Sequence, residues 1–596
     1  MTTNTHSFHI PVMGIGFTID SPLKVAHYGI DSVISLVDDI LIEKMRKNYC
    51  EKYDLMYSEI TEKIDDYRAK RITSYLNMMN GLVDEKIDQL KNASIDKIDE
   101  LKKYFNLLPS EGVKEEFLDK LANTECISEI RKWIHKNINK GSIDVNIMTK
   151  IDKDNYKDNE QLPSIYNDAH AALRGFAESD VTGSLVLSAG MNPRLYGYIE
   201  QFDDFYPKDN TLKKKIVLKV SDYRSALIQG KFLAKKGIWV SEYRIESGLN
   251  CGGHAFATEG FLLGPILEVF KSNKEDLKQE LHEIYKKALS EKEIDCPTEP
   301  LAIKVTAQGG VGTHEEQQFL LDYYKVDSVG WGSPFLLVPE ATTVDPKTLE
   351  KLANAKENDL YLSNISPLGV PFNNLRGNTK DLEKDKLINK GRPGSSCPKK
   401  YVSLNKEFTD KSICTASRQY QHKKIEALEE ENLNPEDYKK AYDKIVEKSC
   451  ICVGLGTSAL LANDLDTKKE GEGVSICPGP NMAYYSKVLK LEEMVGHIYG
   501  KTNVISRTDR PHMFIKELNI YIDYLINEIK EMPNVLDRKQ EKHIRNYTKN
   551  LLEGIEYYTS IFLDNAIFSP TDSTALINQL NISKAKVEGI QQEVFV

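Results

Sequence analysis

The chain has 596 residues, enough for roughly three or four domains' worth of globular core. Its 79 Lys and Arg against 89 Asp and Glu give a net charge of −10 with 28% charged residues, so composition offers no electrostatic reason to expect nucleic acid or an anionic membrane as partner. The start, MTTNTHSFHIPVMGIGF, lacks the basic and longer apolar segments of a signal peptide, no run approaches the roughly 18 apolar residues of a membrane span, and nine cysteines without an export signal read as thiols or metal ligands rather than a disulfide framework. The expectation is a cytoplasmic protein with a small-molecule substrate.

Residues 10–37 read as strand, loop, helix, strand. Ile10-Pro11-Val12-Met13 is extended, Gly14 and Gly16 punctuate, Asp20-Ser21-Pro22 opens a helix, and Ile30 to Ile34 is the next strand. From about Asp38 to Asn139 the sequence becomes charged and helical. Leu76, Met79, Val83, Ile87, Leu90, Ile98 and Leu101 recur at steps near three and four, an apolar stripe that packs helix on helix or offers a partner surface.

The β/α rhythm returns after a polar stretch at 150–161. Strand-like runs at 184–188, 216–220 and 237–241 alternate with helical sequence at 226–236 and 265–290. Ile303 to Gln308 is a β-rich run that ends in Gly309-Gly310-Val311-Gly312-Thr313 and opens into a helix at 315–324. Glycines there let backbone N–H groups approach an anion at a helix N-terminus, so the stretch reads as a phosphate-binding turn. A last strand at 327–333 follows. This alternation argues for a parallel sheet, and glycine-rich turns after the last two strands favour a (β/α)₈ barrel over an open doubly wound sheet.

Four of these stretches, in order, resemble the FMN-binding TIM barrels of the nitronate monooxygenase (2-nitropropane dioxygenase-like) type and, more distantly, the synthase domain of glutamate synthase. They are Pro11-Val12-Met13-Gly14, Cys251-Gly252-Gly253-His254, Gly309-Gly310-Val311-Gly312-Thr313 and Gly332-Ser333-Pro334-Phe335. The resemblance covers residues 8–37 and 180–345. It implies a flavoenzyme in which Gly309, Gly310, Gly312, Thr313, Gly332 and Ser333 hold the FMN phosphate, while Met13, Gly14 and Gly253 lie against the flavin. Lys219 is implied as a cation at the pyrimidine edge, its alternative being a salt-bridged barrel lysine. His254 is implied as the acid–base residue above the ring, its alternative a loop histidine bonded to backbone. Cys251 stands as a second acid, a covalent nucleophile or a small buried residue.

The expected organisation is a first β/α unit over 1–37, a helical insertion over 38–165, the rest of the barrel over 166–345, and a C-terminal mixed and helical accessory region over 346–596. Five cysteines, Cys397, Cys414, Cys450, Cys452 and Cys477, fall in that last region, two of them followed by proline, which makes an iron–sulfur cluster a second candidate cofactor beside buried free thiols. Cys450-x-Cys452 is too close for an ordinary paired zinc knuckle. Arg392, Lys399 and Arg418 are candidates for an anionic substrate or for a solvated surface. The mostly helical end from Pro511 to about Leu563 carries Phe514, Leu518, Ile522, Leu525 and Ile529 on one face, and the long helices leave a homodimer open. Other functions compatible with the residues are a flavin plus iron–sulfur oxidoreductase, a barrel isomerase or lyase that uses the glycine turn for a substrate phosphate, and an interaction protein working through its helices.

Overall fold

A computed structural model of the chain describes residues 5–92, 98–110, 112–123, 127–188, 190–251, 259–533, 535–564 and 568–595. Eight parallel strands close into a barrel: β1 (Phe8–Ile10), β2 (Asp31–Ser35), β3 (Ile143–Ile147), β4 (Gly183–Leu187), β5 (Lys214–Val220), β6 (Val240–Glu246), β7 (Lys304–Gln308) and β8 (Ser328–Gly330). Each pairs with its neighbours in sequence, and β1 joins β8 through Phe8 opposite Val329, which excludes the open sheet. The chain is a (β/α)₈ barrel followed by a helical accessory region.

Three strands sit differently from the sequence expectation: β6 runs from Val240 to Glu246 rather than over 237–241, and β1 and β3 differ as well. β1 ends at Ile10, one residue before Pro11, because proline has no N–H to give to a ladder. β3 lies inside the segment read as helical insertion. Its Ile-Asp-Val-Asn-Ile alternation places Asp144 and Asn146 inside the barrel, so it lacks the continuous apolar run by which the other strands were recognised. The inserted helices, from Asp39–Lys52 to Ile127–Asn137, therefore occupy the connection between β2 and β3.

The strands turn apolar residues outward to the helices and carry both polar residues and a group of valines inward. On β5, Ile216, Leu218 and Val220 face the helices, while Val217 joins Val12, Val33 and Val186 in a small apolar cluster separate from the main core, and Lys219 follows it two residues on. By the same alternation and register Asn146, Glu246 and Gln308 point inward at the C-terminal ends of β3, β6 and β7. In the insertion, Leu76, Met79, Val83, Ile87, Leu90 and Leu101 are all buried in the core, and the Tyr67–Lys91 helix packs on the barrel helix Asp168–Ala177. The apolar stripe is thus spent on helix–helix packing.

The accessory region returns over the barrel mouth. The Ile451–Ala462 helix, buried from Ile451 to Leu460, lies on the loop after β1: Gly16 donates its N–H to the Leu455 carbonyl at 2.8 Å. A Cβ on Gly16 would stand 3.1 Å from the backbone of Gly456, so this approach needs a residue without one. Among the described residues no single helix is long and apolar enough to cross a membrane. The Met513–Glu531 helix buries Phe514, Leu518, Ile522 and Leu525, and Arg538–Phe562 and Pro570–Phe595 pack behind it.

Candidate active site at the barrel mouth

A cavity of about 330 Å³ opens where the strands end, a size within the range of small-molecule sites. Its floor is Val12 and Gly14 after β1, Ser35 of β2, Asn146 of β3, Ser188 after β4, Lys219 of β5 and Asn250 after β6. Its roof is apolar and comes from the accessory region: Leu368, Val370, Phe372, Val402, Leu404, Ile451, Cys452 and Leu455. A larger cleft of about 630 Å³ lies between the Leu360–Leu375 hairpin, Pro478–Pro480 and the Met513–Glu531 helix. It touches no barrel strand, so the smaller cavity is the candidate site.

The polar floor is an organised network. Lys219 Nζ stands 2.7 Å from Glu246 Oε1, and the same oxygen accepts from Asn250 Nδ2 at 2.6 Å and Gln308 Nε2 at 2.8 Å. Gln308 Nε2 also donates to Asn250 Oδ1 at 2.9 Å. Lys219 and Glu246 are 9% and 7% exposed, so the pair is held in a low-dielectric setting where each orients the other. Asn146 is 4% exposed and its Oδ1 has no hydrogen-bond partner. A buried carbonyl oxygen left unpaired carries a penalty on the order of 1–3 kcal/mol, which a ligand N–H would remove.

The glycine turn after β7 has the backbone expected of it and a different occupant. Gly309 and Gly310 have φ of 104° and 95°, so the turn does require glycine. Its anion, however, is internal. Glu316, 4% exposed in the first turn of the His314–Asp322 helix, accepts the Gly312 N–H at 2.9 Å, the Met513 N–H at 2.7 Å, and Arg510 Nη1 and Nη2 at 2.7 and 2.8 Å. Burial alone would raise the Glu316 carboxyl, but Arg510 and the backbone donors hold it below its ordinary value. The turn's carbonyls are used as well: Asn481 Nδ2 donates to Gly310 O at 2.6 Å, Tyr485 Oη to Gly312 O at 3.1 Å, and His497 Nε2 lies 2.8 Å from Gly312 O. A Cβ on Gly312 would meet the Arg510 guanidinium at 2.5 Å.

The residues expected to hold a flavin phosphate are therefore turned to other uses. Thr313 caps the helix by accepting the Glu316 N–H. Gly332 packs on Cys251, where a Cβ would stand 2.9 Å from the Cys251 Cβ, and Ser333 Oγ faces Gly479. None of Gly309, Gly310, Gly312, Thr313, Gly332 and Ser333 lines the cavity. The groups lining the cavity fit the ring of a flavin, with an unpaired acceptor, a cation and apolar walls, and at the glycine turn the Gly312 N–H is engaged by Glu316.

Among the other expected residues, Gly14 lines the cavity, whereas Met13 is fully buried in the core. Cys251 is buried, its Sγ–H donates to the Cys477 carbonyl at 3.3 Å, and burial pushes its thiol well above the usual value, so it stands as a small buried residue rather than a nucleophile. His254 and Gly253 lie outside the described residues. Lys399 is paired with Asp38 and Glu470 in the interior, Arg418 donates Nη2 to Gly394 O, and Arg392 is exposed, so Lys399 is not available to an anionic substrate. Among the described residues no group of three or more His, Cys, Asp and Glu is arranged to hold a metal ion, and the iron–sulfur expectation gains no support.

Asn146, Glu246, Asn250 and Gln308 were not singled out from the sequence. The signal that could have found them is the polar half of each strand's alternation, Asp144/Asn146, Glu242/Arg244/Glu246 and Thr306/Gln308, which on a closed barrel must face inward.

No protein-family model matches the chain, and no curated protein matches it in sequence. Among solved structures the chain is similar to the enoyl reductase domain of MlnA from the macrolactin biosynthesis cluster of Bacillus amyloliquefaciens, with 16% identity over 70% of this chain and 88% of that one and a TM-score of 0.32. It is also similar to FabK from Thermotoga maritima, with 13% identity over 68% and 86% of the two chains and a TM-score of 0.28. These TM-scores are low, and the functional reading rests on this chain's own residues.

Proposed function

We propose that the protein is an oxidoreductase of the flavin-dependent, nitronate monooxygenase-like barrel class, with a planar flavin ring seated in the mouth cavity and a small organic substrate beside it. The observation that carries the reading is the pairing, on one cavity floor, of the unpartnered Asn146 Oδ1 with the Lys219 cation. A flavin's pyrimidine edge offers one N–H between two carbonyl oxygens, and these two side chains supply an acceptor and a donor for it.

When bound, a flavin supplies hydride or electron exchange with the substrate. The chain's own part is binding and electrostatics. Glu246 and Asn250 fix the Lys219 ammonium, which stabilises negative charge at the ring edge. Gly14 keeps side chains off one side of the ring, and the roof from Leu368 to Leu455 excludes water. His254, three residues beyond the described end of the loop after β6, is the proposed proton carrier.

The filled glycine turn speaks against an isomerase or lyase that anchors a substrate phosphate there. On this reading FMN is recognised chiefly by its ring. The test is the visible spectrum of the purified protein together with fluorescence titration by FMN and by riboflavin. Quenching by both supports the reading. No flavin absorbance and no quenching by either refutes it.

A further inference from the structure

The larger cleft, of about 630 Å³, takes no part in the proposed chemistry. One wall is the hairpin of strands Leu360–Ser363 and Phe372–Leu375, and the other is one face of the Met513–Glu531 helix, which presents Lys516, Ile520, Asp523 and Tyr524 at helical spacing. The hairpin stands between the two sites: Phe372 lines the mouth cavity and its neighbour Asn373 lines the cleft. Ion pairs and hydrogen bonds fix how helix and hairpin run. Lys516 Nζ lies 3.4 Å from Glu357 Oε2 at the start of the hairpin. At the other end the Asn364 N–H donates to Glu447 Oε1 at 3.0 Å, and Lys444, just before Glu447, pairs with Glu531 at 3.3 Å.

Three polar groups on these walls lack a partner of matching chemistry among the described residues. Asn373 is 9% exposed, and its Nδ2 has no hydrogen-bond partner. Arg376 has no carboxylate beside it, yet it is held in place: Nε donates to Asn358 O at 3.0 Å, and the guanidinium lies 4.1 Å from the centre of the Tyr361 ring. Asp523 is exposed and makes no ion pair, whereas the carboxylates around it are engaged, Glu357 by Lys516 and Arg507, Glu528 by His543 and Glu531 by Lys444. The three are ordered along the cleft. Arg376, whose N–H donates to Asp359 O at 2.8 Å, sits at the Lys516–Glu357 end. Asn373 comes three residues before it on the strand, and Asp523 lies seven residues, about 10 Å, along the helix from Lys516 in the same direction. A fixed cation at one end thus faces a carboxylate and an amide donor at the other.

We propose that this cleft is a binding site for a short peptide with free ends. A separation of about 10 Å between opposite charges is too long for a single amino acid and matches about three extended residues. Arg376 takes the terminal carboxylate, to which a stacked guanidinium offers two Nη groups in a planar fork. Asp523 takes the terminal ammonium. Asn373 Nδ2 donates to the carbonyl oxygen of the first residue, which gives the buried amide the acceptor that the chain does not supply. The half-buried ring of Tyr524, next to Asp523, gives the peptide's side chains an apolar surface. The site is separate from the mouth cavity and needs no flavin there.

The test is a calorimetric titration of the whole chain, without added flavin, by trialanine, its C-terminal amide, its N-acetyl form and dialanine. The expected result is saturable binding of one trialanine per chain, with each blocked form and dialanine about ten-fold weaker. In Arg376→Gln the free peptide and its amide should bind alike, and in Asp523→Asn the free and acetylated peptides should bind alike. Both side chains are exposed, so the fold is kept, and an unchanged unfolding midpoint verifies it. Three outcomes overturn the proposal: no saturable heat from trialanine up to about 10 mM, a blocked form that binds as tightly as the free peptide, or a variant that keeps the wild-type discrimination at its own end. Because the first measurement is made on the wild-type chain, a folding defect in a variant does not rescue the idea.

Discussion

Replacing Glu316 by glutamine tests whether the carboxylate in the glycine turn is an internal substitute for a bound anion. In the wild type one carboxylate collects two backbone N–H groups and both Arg510 terminal nitrogens, all between 2.7 and 2.9 Å. Both side chains are interior, 4% exposed for Glu316 and 6% for Arg510. The glutamine keeps the volume but leaves a buried guanidinium without its counter-charge, for which the usual penalty is about 3–5 kcal/mol. Removing both charges, as in Glu316→Gln with Arg510→Met, should restore part of it, with a coupling on the order of 2 kcal/mol. The pair also predicts a pH dependence. Since the folded carboxyl lies below 4.5, its contribution is fully present above pH 4.5 and is lost as pH falls through the folded value, so wild type and variant converge in acid. Urea unfolding followed by the fluorescence of Trp331, whose indole N–H donates to Gln317 next door, reads all of this. A loss under about 1 kcal/mol, or strict additivity in the double variant, would refute the latch.

Three further predictions follow from other buried groups. Glu517 is 1% exposed and burial raises its carboxyl from 4.5 to about 7, against the opposing pull of the Leu263 N–H and its Ser247, Tyr558 and Tyr521 hydrogen bonds. Its folded value lies above the unfolded one, so stability is highest below pH 4.5 and falls by about 3 kcal/mol as pH rises to 7 and beyond, a slope that Glu517→Gln should abolish in a series of unfolding midpoints. Lys219→Met strands Glu246 among donors that no longer balance its charge, and should weaken flavin capture at least ten-fold as well as lowering stability by about 3–5 kcal/mol, read by titration and by unfolding. Gly16→Val drives a Cβ to 3.1 Å from the Gly456 backbone, so the roof helix must lift, and proteolysis within 451–462 should accelerate while the barrel's circular dichroism persists.

The barrel was legible in the sequence because seven of its strands carry apolar runs at β/α spacing, and the glycine turn was legible because positive φ at Gly309 and Gly310 can be met only by glycine without strain. β3 was not, since its inner face carries Asp144 and Asn146 and its run is short. The side chains that gather at the turn were not legible for a different reason. Arg510 is 194 residues from Glu316, Asn481 is 171 from Gly310, and only the closed fold brings them together. The same holds for the site floor, where single polar residues on three strands and the loop after β6 become a network only once the sheet is closed.

The measurement that bears most directly on the central claim is flavin binding to the wild type and to Asn146→Leu, followed by quenching of flavin fluorescence with riboflavin and FMN in parallel. Asn146 Oδ1 is the unpaired acceptor on which the proposed site rests, and leucine keeps its approximate volume while removing it. The account predicts that both flavins are captured by the wild type with similar affinity and that the variant binds both at least ten-fold more weakly, matching the loss of one buried hydrogen bond. Equal binding by wild type and variant, or capture of FMN alone with no affinity for riboflavin, would contradict it.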